Sequence, residues 1–198
     1  MREESLIRKV KALTEGYSFN QPFANYLKEH FRNHPEMGGR DRRETRGWSF
    51  NLLRIGTNLQ DLSFEKRLSV ACFLCSDIIY PSLSYLLKQH SEFQETDLEK
   101  PLKAKIEIVK EKYPAFELEN IFQMSDHLSP LIVGDEWFLS FLKKPKVWIR
   151  IRKLFLKNVM EELKAKNIFF SIDDDPLTLS FQPDVSLEKT VAYQNGYF

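Results

Sequence analysis

The sequence predicts a mainly α-helical bundle over residues 1–144, followed by a small α+β domain over residues 145–198. Apolar residues recur at helical spacing through most of the first region, which also has long stretches rich in the helix-forming residues leucine, lysine and glutamate. Glycine occurs only 7 times in 198 residues, which argues against a protein built of strands and tight turns. At Pro145 the apolar period changes from that of a helix to that of a strand.

Each predicted helix of the first region is marked by apolar residues three or four positions apart. These helices are expected at residues 6–13, 23–31, 41–55, 63–77, 83–87, 98–112, 116–124 and 136–143. Glycine and proline separate most of them, and the polar residues 89–96 are predicted to form a loop. Asp41 is expected to cap the third helix, and Gly56 to close it. The result is a helical bundle without a strand signal.

The second region begins with a predicted half-buried strand. Three apolar residues alternate there with a tryptophan and two arginines, in the order Val147, Trp148, Ile149, Arg150, Ile151, Arg152. A helical period follows over residues 154–163, and strands are predicted at residues 167–172 and 177–181 with an acidic turn at residues 173–176. Strand, helix, strand, strand is the order of a small α/β unit.

Composition indicates a folded protein of a reducing compartment. The chain is 42% hydrophobic and 13% aromatic, enough for a sizeable core. Its first residues are charged and no apolar run follows, so neither a secretory signal nor a membrane span is predicted. With Cys72 and Cys75 as the two cysteines, no disulfide framework is expected. We therefore predict a cytoplasmic protein with no membrane partner.

Charge is distributed unevenly along the chain. Residues 143–166 hold nine Lys or Arg and two Glu, a local charge of +7, and residues 32–54 hold six Arg and three acids, a local +3. Since the net charge is +1, the rest of the chain carries −9. Two basic clusters in an otherwise acidic protein predict a face that meets phosphate.

Two motifs within these basic clusters resemble a known family. Residues 38–46, GGRDRRETR, with Leu52-Leu53-Arg54 after them, look like the turn and helix that open the NusB-like helical domain of bacterial Sun/Fmu ribosomal-RNA cytosine-5 methyltransferases. Residues 145–152, PKVWIRIR, are similar to the strand Q-P-x-x-W-x-R-x-N by which those enzymes enter a small RNA-contacting domain. The resemblance implies a NusB-like bundle at 1–144 and a ferredoxin-like or RRM-like domain at 145–198.

The resemblance further implies a function in RNA targeting. The chain matches the N-terminal, RNA-binding portion of such an enzyme, with ribosomal RNA and its own catalytic methyltransferase domain as partners, and we expect a monomer. In the family, the glycine-rich S-adenosylmethionine loop and the catalytic Pro-Cys motif lie beyond the position of Phe198. The sequence contains neither motif. We therefore expect no catalytic residue and no cofactor site in this chain, and S-adenosylmethionine binding in the full-length parent.

Basic and aromatic residues of the two motifs are the predicted RNA contacts. They are Arg40, Arg43, Arg46, Trp148, Arg150, Arg152, Lys153 and Lys157. Cations bind phosphates and an exposed indole stacks on bases, and Arg152 stands where the family usually has asparagine. Several alternatives stay open: Asp41 and Glu44 can neutralise Arg42 and Arg46, Asp41 and Arg54 can fix the fold by buried pairing, and Trp148 can point into the core.

Other candidate sites have simpler explanations. Cys72 and Cys75 lack a second ligand pair, so a pair of core thiols is favoured over a metal site. His30 and His34 lack a third ligand, and residues 173–175 precede a proline as exposed turns do, so no metal is expected. Two further functions stay open. One is a free-standing NusB-like regulator of transcription or ribosome assembly, and the other is a helical protein-interaction adaptor.

Overall fold

A computed structural model describes residues 2–122, 124, 127–129, 132, 134–183 and 185–198. The chain divides into two compact units, Met1–Lys143 and Lys144–Phe198. Helices dominate the first unit, and a three-stranded antiparallel sheet lies in the second. The predicted mainly helical class with a small α/β part is therefore confirmed. In the described part of the chain, no helix is long and apolar enough to cross a membrane.

Helices of the first unit follow the predicted order. They are α1 Arg2–Glu15, α2 Phe23–Asn33, α3 Gly39–Arg54, α4 Phe64–Cys75, α5 Pro81–His90, α6 Leu102–Lys112 and α7 Asp135–Leu142. Two short 3-10 turns, Glu95–Glu99 and Glu119–Ile121, lie on either side of α6. Pro81 occupies the first position of α5, where a missing N–H costs nothing.

Helix α4 forms the centre of the first unit. Every residue from Leu68 to Cys75 is buried, and the helix packs against α3, α5 and α6. The ring of Phe73 stacks on Phe93 with centroids 4.1 Å apart. Because α4 is buried on all sides from Leu68 onward, both cysteines are core residues, as predicted. A separate small cluster joins α2 to α1 and α3 through Leu13, Phe23 and Leu27.

Three predictions for the helices of the first unit are wrong: the cap of α3, the start of α6 and the helix at residues 116–124. Asp41 does not cap α3, since Gly38 holds the cap position and Asp41 lies inside the first turn. The helix predicted at 98–112 starts only at Leu102, because Pro101 precedes it as its cap residue.

Residues 116–124, of which Gln123 lies outside the described residues, form a 3-10 turn and irregular chain instead of a helix. Tertiary hydrogen bonds replace helical ones there. The side-chain oxygen of Asn58 accepts from the backbone N–H of Glu117 at 2.9 Å, and the N–H of Thr57 donates to Asn120 at 2.9 Å.

The second unit is a small sheet with two helices. Its elements are β1 Val147–Arg150, a 3-10 turn Lys153–Phe155, α8 Leu156–Ala165, β2 Ser171–Ile172, β3 Thr178–Phe181 and α9 Val191–Gln194. The strand order is β1-β3-β2, with β3 antiparallel to both neighbours. Strands β1 and β2 are thus parallel to each other, and the last strand in sequence lies between them.

The core of the second unit covers one face of this sheet. It contains Ile149, Ile151, Val159, Leu163, Leu179, Phe181, Leu187 and Ala192. The predicted strand at 167–172 is reduced to β2, because Asn167 adopts a positive φ of 52° after α8 and the chain pairs only from Ser171. Leu154, expected on the apolar side of the helix, is instead exposed in the preceding turn.

A carboxylate of α8 holds α9 in place. Glu162 accepts hydrogen bonds from the backbone N–H groups of Val191 at 2.7 Å and Ala192 at 2.8 Å. The ammonium of Lys166 lies 2.7 Å from the same carboxylate. After α9, the carbonyl of Tyr197 accepts from the N–H of Arg152 at 2.9 Å, which ties the end of the chain to the residues after β1.

Candidate functional site

The outer face of β1 presents an aromatic ring between two cations. Ile149 points into the core, whereas Trp148 is 53% exposed and the Arg150 side chain 79% exposed. The ammonium of Lys146 lies 5.9 Å from the centroid of the Trp148 ring. Trp148 therefore does not point into the core, and the predicted alternation of this strand is confirmed.

Small hydroxyl side chains lie beside this ring on β3. Residues directly opposite in an antiparallel pair share a face, so Ser180 lies next to Trp148 and Thr178 next to Arg150. Arg150 also approaches Asp175 of the acidic turn, with Nε 3.8 Å from the carboxylate. This separation, at an exposed position, leaves the guanidinium free to exchange partners.

Phe169 is a second exposed ring in this unit, and sequence reasoning missed it as a site residue. It is 86% exposed, while Ile168 and Phe170 on either side pack against the core. Because both neighbours pack inward, the ring of Phe169 points away from that core. The signal was present as a large aromatic residue at the outward position of a predicted strand.

Three further predicted cations follow β1 and are exposed. The side chains of Arg152 and Lys153 make no hydrogen bond or ion pair within the described residues, and Lys157 lies 3.9 Å from Glu161 as an exposed pair along α8. Exposed charges at this spacing interact weakly with each other in salt. These cations therefore remain available to an anionic ligand.

Helix α3 separates its charges onto different faces. The guanidinium of Arg2 donates to Asp41 at 3.0 Å and to Glu44 at 2.8 Å, and Lys9 donates to Asp41 at 2.7 Å. Arg40 donates to Glu44 at 2.9 Å. The acids of α3 thus pair mainly with α1, and the alternative in which they neutralise Arg42 and Arg46 is not the one observed.

Neighbouring cations shift the pKa values of both acids. The hydrogen bond from Lys9, helped by that from Arg2, holds the pKa of Asp41 below its ordinary value against the effect of burial. Burial acts to raise the pKa of Glu44, but hydrogen bonds from Arg40 and Arg2 outweigh it and lower the pKa. Both carboxylates are therefore structural groups that attach α1 to α3.

Arginines of α3 have distinct surroundings. Arg42 donates to the carbonyls of Met37 at 2.8 Å and His34 at 3.2 Å, closing the turn after α2. Arg46 lies over the ring of Phe50 at 5.9 Å, and Arg43 is exposed. Arg54 donates to Asn51 at 3.2 Å and does not pair with Asp41.

The predicted RNA contacts are divided between the two units. Arg40, Arg43 and Arg46 lie in the first, and Trp148, Arg150, Arg152, Lys153 and Lys157 lie in the second. Comparison with known protein families, with curated proteins and with solved structures finds no match for this chain. Any function must therefore be argued from the residues and geometry described above.

The other candidate sites are structural in character. Cys72 accepts a long contact of 3.8 Å from the amide of Asn51, and burial raises the pKa of its thiol. The rings of His30 and His34 are tilted at 38° to each other with centroids 4.4 Å apart, and His34 lies 2.9 Å from Glu36. Among the described residues, no group of three His, Cys, Asp or Glu is placed to hold a metal ion.

Proposed function

We propose that the second unit binds single-stranded RNA through the outer face of β1. The observation that carries this proposal is the exposed Trp148 ring, which lies on an edge strand with Lys146 and Arg150 on either side. An indole stacks on any base, and such stacking contributes about 1–3 kcal/mol per base. The adjacent cations supply phosphate contacts that depend on salt but not on sequence.

The topology of the second unit supports the same proposal. A last strand inserted between two parallel strands is the arrangement of the split β-α-β unit found in ferredoxin-like domains. RRM domains of that general shape stack bases on aromatic residues of the sheet face. Trp148 and Phe169, both exposed aromatic residues of this unit, are candidates for such contacts.

We further propose that this RNA binding serves a ribosomal-RNA cytosine-5 methyltransferase of the Sun/Fmu type. The support is the pair of motifs at residues 38–54 and 145–152. The described cysteines do not fit the attacking thiol of that chemistry, since Cys72 and Cys75 lie in the core of α4. In this proposal the chain positions RNA, and the methyl transfer belongs to a further domain.

Fluorescence anisotropy with single-stranded ribosomal-RNA fragments tests the first part. Changing Arg150, Arg152, Lys153 and Lys157 together to glutamine is expected to weaken binding to all sequences alike and to flatten the salt dependence. The negative slope of log K against log salt is expected to become shallower by about 0.7 for each phosphate that the variant no longer neutralises. Lys164→Gln and Lys189→Gln, exposed in the same unit, serve as controls with little effect.

Stacking is tested separately from charge. Trp148→Ala is expected to weaken binding by about 1–3 kcal/mol, and Tyr193→Ala, an equally exposed aromatic of α9, to leave it unchanged. Circular dichroism establishes first that each variant is folded. If the quadruple variant binds RNA like the parent at every salt concentration, RNA binding by this face is refuted and the protein-interaction adaptor is favoured.

A further inference from the structure

A groove with a basic lining runs between α2 and α3 of the first unit. Its volume is about 590 Å³, and its lining residues are Ala24, Leu27, Lys28, Phe31, Arg32, Arg42 and Arg46. The two helices run in opposite directions, joined by a short turn that Arg42 closes. Phe23 meets Phe50 edge-on at 5.1 Å at the far end, so side chains connect the helices at both ends of the groove.

Apolar residues form the floor of this groove. Ala24, Leu27 and Phe31 are spaced three and four residues apart, so they form one stripe along about two turns of α2. Leu27 is buried, Phe31 half-buried and Ala24 exposed. The stripe is therefore reachable from solvent along part of its length.

A pair of cations lies on each side of the stripe, and each pair is called a basic rail below. Lys28 and Arg32 follow one flank of α2, and Arg42 and Arg46 follow the facing side of α3. Both pairs are four residues apart, so each rail runs along the groove. Arg42 lies 6.0 Å from the ring of Phe31, which holds its guanidinium at the wall.

No acid forms an ion pair with these cations among the residues that the structure describes. The four acids of α2, α3 and their connection have other partners. Glu29 contacts Gln21, Glu36 contacts His34, and Asp41 and Glu44 pair with Arg2 and its neighbours. Lys28, Arg32 and Arg46 make no ion pair in the described part, and Arg42 donates only to backbone carbonyls, so none of the four cations of the groove is held by a carboxylate.

We propose that this groove binds an amphipathic α-helix of a partner protein, with an apolar face and acidic flanks. An apolar stripe about two turns long matches the i, i+3, i+7 anchors of such a helix. A basic rail on each side pairs with glutamates or aspartates on both flanks of the ligand. This site is distinct from the β1 face and does not rest on RNA binding.

Nucleic acid fits this groove less well. Bases stack on aromatic rings, but two of the three floor residues, Ala24 and Leu27, are aliphatic. A phosphate backbone has no apolar edge to place along such a floor. The basic side chains attract both a nucleic acid and an acidic helix, whereas the apolar stripe favours the helix because only the helix has an apolar face.

Binding of a labelled helical peptide of about 18 residues tests the proposal. The peptide carries leucine at i, i+3 and i+7 and glutamate on both flanks, and anisotropy is measured with the full chain. Two comparison peptides have the same composition in scrambled order, or glutamine in place of glutamate. Both are expected to bind at least about tenfold more weakly.

Variants of the protein locate the bound peptide. Arg32→Glu with Arg46→Glu, and separately Ala24→Glu, are expected to raise the Kd at least about tenfold. Arg43→Glu is the matched control, because Arg43 is exposed on α3 outside the groove, and it is expected to change the Kd less than about twofold. Circular dichroism establishes that each variant is folded before its Kd is measured.

Three outcomes overturn the proposal. In the first, the acidic peptide does not bind. In the second, the scrambled peptide binds as tightly as the acidic peptide, which shows that charge alone attracts both. In the third, an oligouridine displaces the acidic peptide and binds the Arg32→Glu, Arg46→Glu variant more weakly than the parent, which makes the groove a nucleic-acid site. Loss of RNA binding by the β1 variants has no bearing on these results.

Discussion

Glu162 is predicted to stabilise α9 through hydrogen bonds that a glutamine cannot reproduce. Its carboxylate accepts from two backbone N–H groups at the start of α9 and from Lys166. Glutamine has the same shape but offers one oxygen and one NH₂ group, so one backbone N–H loses its acceptor and the charge is lost as well. Hydrogen bonds to charged groups contribute about 1.5–3 kcal/mol each, and the partial exposure of Glu162 favours a total cost of about 2 kcal/mol.

Amide hydrogen exchange measures this cost at the site. Protection of the Val191 and Ala192 amides is expected to fall about 30-fold in Glu162→Gln, since about 1.4 kcal/mol corresponds to a factor of ten. Glu161→Gln is the matched control, because Glu161 is exposed on the same helix and lies 3.9 Å from Lys157. Its effect is expected to be below about 0.5 kcal/mol.

The pH dependence provides a second check. Burial acts to raise the pKa of Glu162, but hydrogen bonds from Lys166 and the two backbone N–H groups outweigh it and lower the pKa. A lowered pKa means that the charged form stabilises the fold above the unfolded value of about 4.3, and that this stability is lost as the pH falls through the folded value. The proposed role would be refuted if the Val191 and Ala192 amides were equally protected in Glu162→Gln and Glu161→Gln at neutral pH. It would also be refuted if a difference in protection between these two variants persisted unchanged in strong acid.

The remaining predictions concern the first unit. Gly56→Ala is expected to lower the free energy of unfolding by more than about 3 kcal/mol, since a Cβ at φ +59° would collide with the carbonyls of Asn120 and Ile121. Gly47 lies within α3 and faces open space, so Gly47→Ala is expected to raise the free energy of unfolding by about 1 kcal/mol. Urea denaturation measures both changes. The lowered pKa values of Asp41 and Glu44 predict that urea stability falls as the pH drops below about 4, and that Asp41→Asn reduces this dependence. Cys72 and Cys75 should react with iodoacetamide only on unfolding; fast alkylation of the native protein would contradict their burial.

Local pattern predicts an element well where one face of it is buried. Helices α1 and α2 and the strand β1 follow their apolar periods, because a single contact face imposes that period. Residues 116–124 have a helical pattern as well, but Asn58 and Thr57, about sixty residues away in sequence, bind their backbone groups first. The sequence around residues 116–124 does not contain these hydrogen-bond partners, so a local pattern cannot predict that they replace the helical bonds.

Charge in the sequence predicts which segments are basic but not which faces are free. Asp41 pairs with Arg2 and Lys9, which are 39 and 32 residues away, so it does not neutralise Arg42 or Arg46, which was one of the alternatives left open by the sequence. Those two arginines become part of the groove instead. Separating structural from available cations requires knowing which helices are neighbours, and that is a property of the tertiary fold.

The burial of α4 from Leu68 to Cys75 has a consequence for how this protein is made. The last two turns of α4 are buried on every side, so any partner that they lack leaves a hydrophobic face exposed to water. During synthesis, α4 leaves the ribosome before α5, α6 and the α7 residues Phe138 and Leu142 that share its core. At about 5–20 residues per second, this apolar surface stays uncovered for several seconds. The nascent chain is therefore expected to be most prone to aggregation, and most dependent on chaperones, between the synthesis of residues 75 and 142.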